Sequence, residues 1–315
     1  MENHTILLPN KPSTPLTYSL YTPPPSSPLS SHLLLFLNGL ILPRSSWSPT
    51  ISHLFSSHPP LHLPTILTYD RYGQGDSSPV PPSSSPSTAK TIITDLHNLL
   101  SLLSLQTHNL IIIASSIGCP LARLYCTCTT YTPPPPKLSA LVFLDSMMAN
   151  TDFVSIFPNP DSPNFDPDTL PENISPNDLR HARAMFGQYF HPTVPNSEGF
   201  DRSNLAELLP YADKPLLPYD SKGNRPHLIV VGHDPDEFAE QCETGSLSVS
   251  KAVINTYMKP VWDRYNQGLT LLVAGPENNN PHQVKIAKGC GHFIPRDDPK
   301  FVANEIKNLL DKLIK

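Results

Sequence analysis

Six short, almost uninterrupted apolar runs, set apart by amphipathic or proline-rich stretches, constrain this chain more than any other feature of its sequence. They are HLLLFLNG at 32–39, PTILTYD at 64–70, NLIIIAS at 109–115, LSALVFLD at 138–145, PHLIVVG at 226–232 and HQVKIAKG at 282–289. A strand with one face in water alternates apolar and polar residues, whereas a continuous run needs cover on both faces. Runs of this kind predict buried, mainly parallel strands. Helical patterns at 88–105, 119–130, 258–273 and 298–315 fall between or after them. Strand alternating with helix is the rhythm of a doubly wound α/β sheet with right-handed crossovers.

The rhythm breaks between 146 and 225, a polar, proline-rich interval with one helical piece near 176–190. An interval that long does not stay structureless inside a compact domain. It is expected to be an inserted helical cap over the C-terminal ends of the strands, where open α/β sheets bind ligands. The expected organisation is a core of residues 1–145 and 226–315 with the insert at 146–225. Proline, at 39 residues, concentrates with serine in segments such as TPPPSSP, PVPPSSSPS and TPPPPK. Each is short and lies between apolar runs, which marks it as a surface connection.

Composition narrows the partners. The net charge of −5 comes from 22 basic and 27 acidic residues mixed along 315 positions, with no basic run suited to a phosphate backbone. Nucleic acid is therefore not expected. No stretch approaches the roughly 20 apolar residues needed to cross a bilayer, and the start, MENHTILLPN, lacks a basic segment followed by an apolar one. A soluble, cytoplasmic protein is expected, with a homodimer left open. The five cysteines, Cys119, Cys126, Cys128, Cys242 and Cys290, lack the spacing of a structural zinc site and read as free thiols. The sequons at Asn3 and Asn173 matter only in a secreted chain.

Two segments carry the chemistry. In NLIIIASSIGCPLARLY an apolar strand meets Ala114-Ser115-Ser116-Ile117-Gly118 and then an amphipathic helix. A tight strand-to-helix turn lifts a serine hydroxyl above the sheet edge, needs small neighbours, and aims the positive end of the helix at the oxygen. Near the C-terminus, VKIAKGCGHFIPRDDP places His292 in the loop between a strand and the last helix, where its imidazole can serve as the base for Ser116.

These segments resemble the nucleophile elbow and the histidine loop of α/β-hydrolases. FLNGLILPRSSW at 36–47 stands where that family commonly has His-Gly, with Asn38 for the histidine, and TYDRYGQGDSS at 68–78 is similar to its D-R-x-G-x-G-x-S turn. The resemblance runs from about residue 30 to the C-terminus in the family's order. Ala114 replaces the usual glycine of the elbow. The resemblance implies that the amides of Leu40 and Ile117 hold the oxyanion and that Asp70 and Arg71 form a structural clamp. For the triad acid it offers Asp145, at the end of LVFLDS, and Asp234, in VVGHDPDEF, with Asp145 preferred.

The resemblance thus implies a serine hydrolase (esterase-like) that cleaves a carboxylic ester, lactone or thioester through an acyl-enzyme. No metal or organic cofactor is implied, and the expected partner is a small-molecule substrate. Serine at the elbow argues against dehalogenase or epoxide hydrolase chemistry, in which a carboxylate nucleophile forms an alkyl-enzyme ester. Met147, Met148, Phe153, Phe157, Phe186 and Tyr189 suggest a medium-sized apolar substrate. Two alternatives stay open, because fold does not fix reaction type. One is a lyase, isomerase or cyclase of secondary metabolism that works without an acyl-enzyme; the other is a hydrolase-like ligand receptor.

Overall fold

The computed structural model describes residues 1–57, 62–79, 87–220, 222–274 and 283–314. The strands are β1 (Glu2–Leu8), β2 (Lys11–Tyr21), β3 (His32–Leu37), β4 (Thr65–Tyr69), β5 (Ser87–Thr88), β6 (Asn109–Ser115), β7 (Leu138–Leu144), β8 (Phe200–Asp201), β9 (His227–His233) and β10 (Lys285–Ala287). The helices are α1 (Ser48–Ser57), α2 (Ala89–Leu102), α3 (Gly118–Thr127), α4 (Pro176–Tyr189), α5 (Leu205–Leu208), α6 (Pro235–Thr244), α7 (Lys251–Val253), α8 (Lys259–Thr270), α9 (Ile294–Asp297) and α10 (Pro299–Ile314).

Eight strands form one sheet in the order β1-β2-β4-β3-β6-β7-β9-β10. From β4 to β10 every pairing is parallel, whereas β2 runs antiparallel to both β1 and β4. The runs at 32–39, 64–70, 109–115 and 138–145 are buried on both faces, as their continuity predicts, whereas at the sheet edge β10 buries only Ala287 and leaves Lys285 and Ile286 exposed. Leu33, Leu35 and Leu37 enter one core with residues of α2, α3 and α8, while Leu34 and Phe36 enter the other with residues of α1 and α10. The architecture is a mostly parallel sheet with helices on both faces.

Three regions depart from the sequence expectation. The hairpin β1–β2 precedes residue 30 and lies outside the six apolar runs. Pro12 and Pro15, with Thr and Ser between apolar positions, mask the strand pattern, yet Leu16 is fully buried in the core that α2 also enters. The last strand is shorter than the expected 282–289: it ends at Ala287, and Gly289 turns the chain at φ +71°. Residue 282 and most of PVPPSSSPS lie outside the described residues. The helix expected at 258–273 begins earlier, at Lys251, and passes through a π-helical turn at Ile254–Met258 before α8.

Within 146–225 the chain forms α4, capped by Ser175 in a capping box with Asp178, and the short β8 and α5. β8 pairs in parallel with β5, which links this interval to the start of α2. The first neighbours of β3 in the sheet are β4 and β6, so the chain reverses its winding direction there. Open α/β sheets place their ligand crevice at the C-terminal ends of strands beside such a switch point.

Candidate active site

The turn after β6 is shaped by two tight approaches. Ser116 sits at φ +53°, a conformation that costs a non-glycine residue about 1–3 kcal/mol. Gly118 has no room for a side chain: a Cβ there would lie 2.6 Å from the Leu37 carbonyl oxygen and 3.0 Å from that of Asn38. The elbow is held from below, with Ser116 N donating to Leu144 O at 3.1 Å and its carbonyl accepting from Cys119 N at 3.1 Å and Met147 N at 3.2 Å. Ala114, where the family commonly has glycine, is fully buried and accepts a hydrogen bond from the Cys119 thiol at 3.2 Å.

Three residues distant in sequence meet above this turn. Ser116 Oγ lies 2.9 Å from His292 Nε2, and His292 Nδ1 lies 2.5 Å from Asp145 Oδ2. An ionised carboxylate only accepts, so Nδ1–H donates to Asp145 and Nε2 is left to accept from the serine hydroxyl. Asp145 follows β7 at φ +44°, is fully buried, and is fixed through its amide, which donates to Val231 O at 2.8 Å. Burial alone would raise its carboxyl. The charge and hydrogen bond of His233, followed by those of His292, instead bring it down to about 2. The anion therefore persists wherever the protein is folded near neutral pH.

Asp234, the other candidate acid, is engaged elsewhere. Its side chain caps α6 through Asp236 N at 3.2 Å and accepts from Gly289 N at 3.1 Å, and its amide donates to Cys290 O at 2.8 Å. It anchors the loop that carries His292 and does not touch the imidazole. Gly291 N adds a second anchor on Asp297 Oδ2 at 3.0 Å.

The loop after β3 lies beside the serine, since a Cβ on Gly39 would be 3.5 Å from Ser116 Cβ. Its peptide planes are pinned. Arg71 donates to Asn38 O at 2.9 Å and to Gly39 O at 2.8 Å, and Gln74 Nε2 donates to Gly39 O at 2.9 Å. In a planar trans peptide the N–H points opposite to the preceding C=O, so the Leu40 amide is turned away from Arg71 and Gln74. Among the described residues the amides of Leu40 and Ile117 donate to no backbone carbonyl outside regular helices and strands. Asn38, in the place of the histidine, is structural: it accepts from Trp47 Nε1 at 2.8 Å and donates to Tyr69 O at 2.9 Å.

Two residues of the site are marked by no local motif. Glu198, from the 146–225 interval, is buried and meets Arg71 Nε at 2.9 Å, Gln74 Nε2 at 2.8 Å and the Ile41 amide. His233, at the end of β9, meets both oxygens of Asp145. Asp70 performs the expected clamping, holding the Arg44 amide at 2.5 Å and the Arg44 guanidinium. All five cysteines are free. Among the described residues no group of three or more His, Cys, Asp or Glu side chains is arranged to hold a metal ion, and no helix is long and apolar enough to cross a membrane.

Residues 34–305 match the model of the alpha/beta hydrolase family. The chain belongs to that family. No curated protein matches it in sequence. Among solved structures, one of the similar folds is the epoxide hydrolase VrEH1 from Vigna radiata, at 15% identity and TM-score 0.54 over 99% of this chain and 98% of that one. Others are a bromoperoxidase from Bacillus anthracis, at 14% identity and TM-score 0.52 over 99% and 100%, and MenH from S. aureus, at 13% identity and TM-score 0.54 over 94% and 98%. At such identities the likeness is one of fold, and family membership makes this chain a hydrolase-like enzyme without naming its substrate.

Proposed function

We propose that this alpha/beta hydrolase is a serine hydrolase that cleaves a carboxylic ester, lactone or thioester of a medium-sized apolar substrate through an acyl-enzyme. The observation that carries the reading is the unbroken relay from Ser116 Oγ to His292 Nε2 at 2.9 Å and from His292 Nδ1 to Asp145 at 2.5 Å. Ser116 attacks the substrate carbonyl as its proton passes to Nε2, and Asp145 orients the imidazole and stabilises its protonated form. The Leu40 and Ile117 amides donate to the oxyanion, an interaction worth about 10²- to 10³-fold in kcat for one donor in comparable sites. As the intermediate collapses, the imidazolium returns its proton to the leaving oxygen or sulfur. Water, deprotonated by the same nitrogen, then attacks the acyl-serine and releases the acid and free Ser116.

One of the similar structures is an epoxide hydrolase, but ring opening through an alkyl-enzyme ester needs a carboxylate where Ser116 stands. The 146–225 interval acts as the cap that selects substrates. Phe157, Phe186, Phe190 and Phe153 form a chain of ring contacts, with centroids 4.9, 5.2 and 6.1 Å apart, that continues through Trp262 to His292. Tyr189, expected to join this group, is 46% exposed, and its place is taken by Phe190 one position on.

The test is partitioning. If two esters of one acid with different leaving groups pass through the same acyl-enzyme, added methanol divides them between acid and methyl ester in the same ratio. A ratio that changes with the leaving group would exclude a common acyl-serine, and absence of turnover on esters, lactones and thioesters alike would favour a receptor.

A further inference from the structure

Asp145 serves two imidazoles. Besides the bond to His292, its carboxylate accepts from His233 three times: from the backbone amide at 3.2 Å to Oδ1, and from Nδ1 at 2.9 Å to Oδ1 and 3.0 Å to Oδ2. His233 is only 6% exposed, and its ring is fixed on two sides. It stacks on Phe238 at 4.2 Å and 23° and meets the edge of Trp262 at 5.1 Å and 82°. Trp262 also packs edge-on against His292 at 5.7 Å. One indole thus packs against both imidazoles, and one carboxylate joins them.

A carboxylate held by a single hydrogen bond can turn about its last torsion, because a terminal sp³–sp² rotation has a broad well. The donors of His233 remove that freedom by occupying the Oδ1 side and the carboxylate edge. Oδ2 is then presented to His292 at a fixed distance and angle. Facing an ionised carboxylate, which can only accept, the His233 ring carries a proton on Nδ1.

We propose that His233 is a positioning residue of this site: it fixes the Asp145 carboxylate so that His292 is held in the tautomer and orientation that accept the Ser116 proton. It touches neither the serine nor the position of the reacting carbonyl, and it acts only through Asp145. The kinetic consequence rests on the acyl-enzyme reading above; the structural consequence, an ordered Nδ1–H bond from His292 to Asp145, does not.

The experiment compares His233→Leu, whose side chain fills the space between Phe238 and Trp262 but donates nothing, so that only the backbone amide of residue 233 still reaches Oδ1, with His233→Asn, whose side-chain amide N–H falls near the position of Nδ1. Proton NMR of histidine-labelled protein follows the far-downfield resonance of the His292 Nδ1–H. His233→Leu is expected to lower kcat on the best ester about tenfold to a hundredfold, as for other groups that orient a functional side chain from behind, with KM changed less than about twofold. Its downfield resonance should broaden or move upfield, and His233→Asn should restore most of both. Should His233→Leu not fold, His233→Gln, whose amide reaches beyond the Nδ1 position, should fall below His233→Asn in kcat at similar Tm. An unchanged resonance and kcat in His233→Leu would overturn the proposal, as would equal losses in all variants that track Tm alone. Full turnover in Ser116→Ala would instead remove the acyl-enzyme reading, and the resonance would still decide the role of His233.

Discussion

Replacing Ser116 or His292 by alanine is expected to lower kcat on any accepted ester by about 10⁴- to 10⁶-fold, and the double replacement is expected to cost no more than the worse single one. The reason is that hydroxyl and imidazole act as one unit: without the base the hydroxyl stays protonated, and without the hydroxyl the base has no proton to take. Their 2.9 Å contact spans 176 positions of sequence and is made at the rim of the sheet, so neither side chain supports the core. Tm should hold within a few degrees in both variants. Steady-state rates and thermal melts of the two singles and the double check this. Retained turnover in Ser116→Ala with loss in His292→Ala would point to proton transfer without an acyl-enzyme, the lyase or isomerase alternative.

The second large effect is expected at a distance from the serine. Glu198→Leu leaves the Arg71 guanidinium buried without its counter-charge, which should destabilise the fold by about 3–5 kcal/mol. It also frees the loop whose carbonyls at Asn38 and Gly39 are held by Arg71, and turnover should fall by about 10²-fold as the Leu40 amide loses its orientation. Because buried ion pairs are often replaceable by apolar residues of similar volume, the double variant Arg71→Met/Glu198→Leu should regain part of the stability. It should not regain activity, since Arg71→Met itself removes the donor to the carbonyls of Asn38 and Gly39. Urea unfolding alongside kcat/KM separates the two effects. Recovery of both together would mean that the pair only supports folding.

The legible parts of this chain are those written locally. The runs at 32–39, 109–115 and 138–145 are strands because each keeps a core of at least five consecutive apolar residues, and the order of those runs carries the parallel sheet. Ser116 is legible because the strand, the turn and the helix around it are contiguous, and His292 because its loop lies between a strand and the final helix. Asp145 and Asp234 are not separated by spacing. A finer signal exists, however: Asp234 precedes Pro235, Asp236 and Glu237, the pattern of a helix N-cap, and the carboxylate does cap α6.

The partners that sequence does not reveal are tertiary. Glu198 lies 127 positions from Arg71, and His233 lies 88 from Asp145. A buried arginine calls for a carboxylate, but only packing says which one. The hairpin β1–β2 is hidden for a related reason, because its prolines and hydroxyl residues are accommodated by pairing at one end of the sheet and leave no apolar run to read.

The most direct measurement is labelling with an alkyl fluorophosphonate, followed by intact mass and peptide mapping. A single phosphonyl adduct on the peptide that carries Ser116, formed at a rate that collapses in His292→Ala and absent from Ser116→Ala, is the predicted result. An adduct on another residue, or an equal adduct on the alanine variant, would contradict the assignment of Ser116 as the nucleophile.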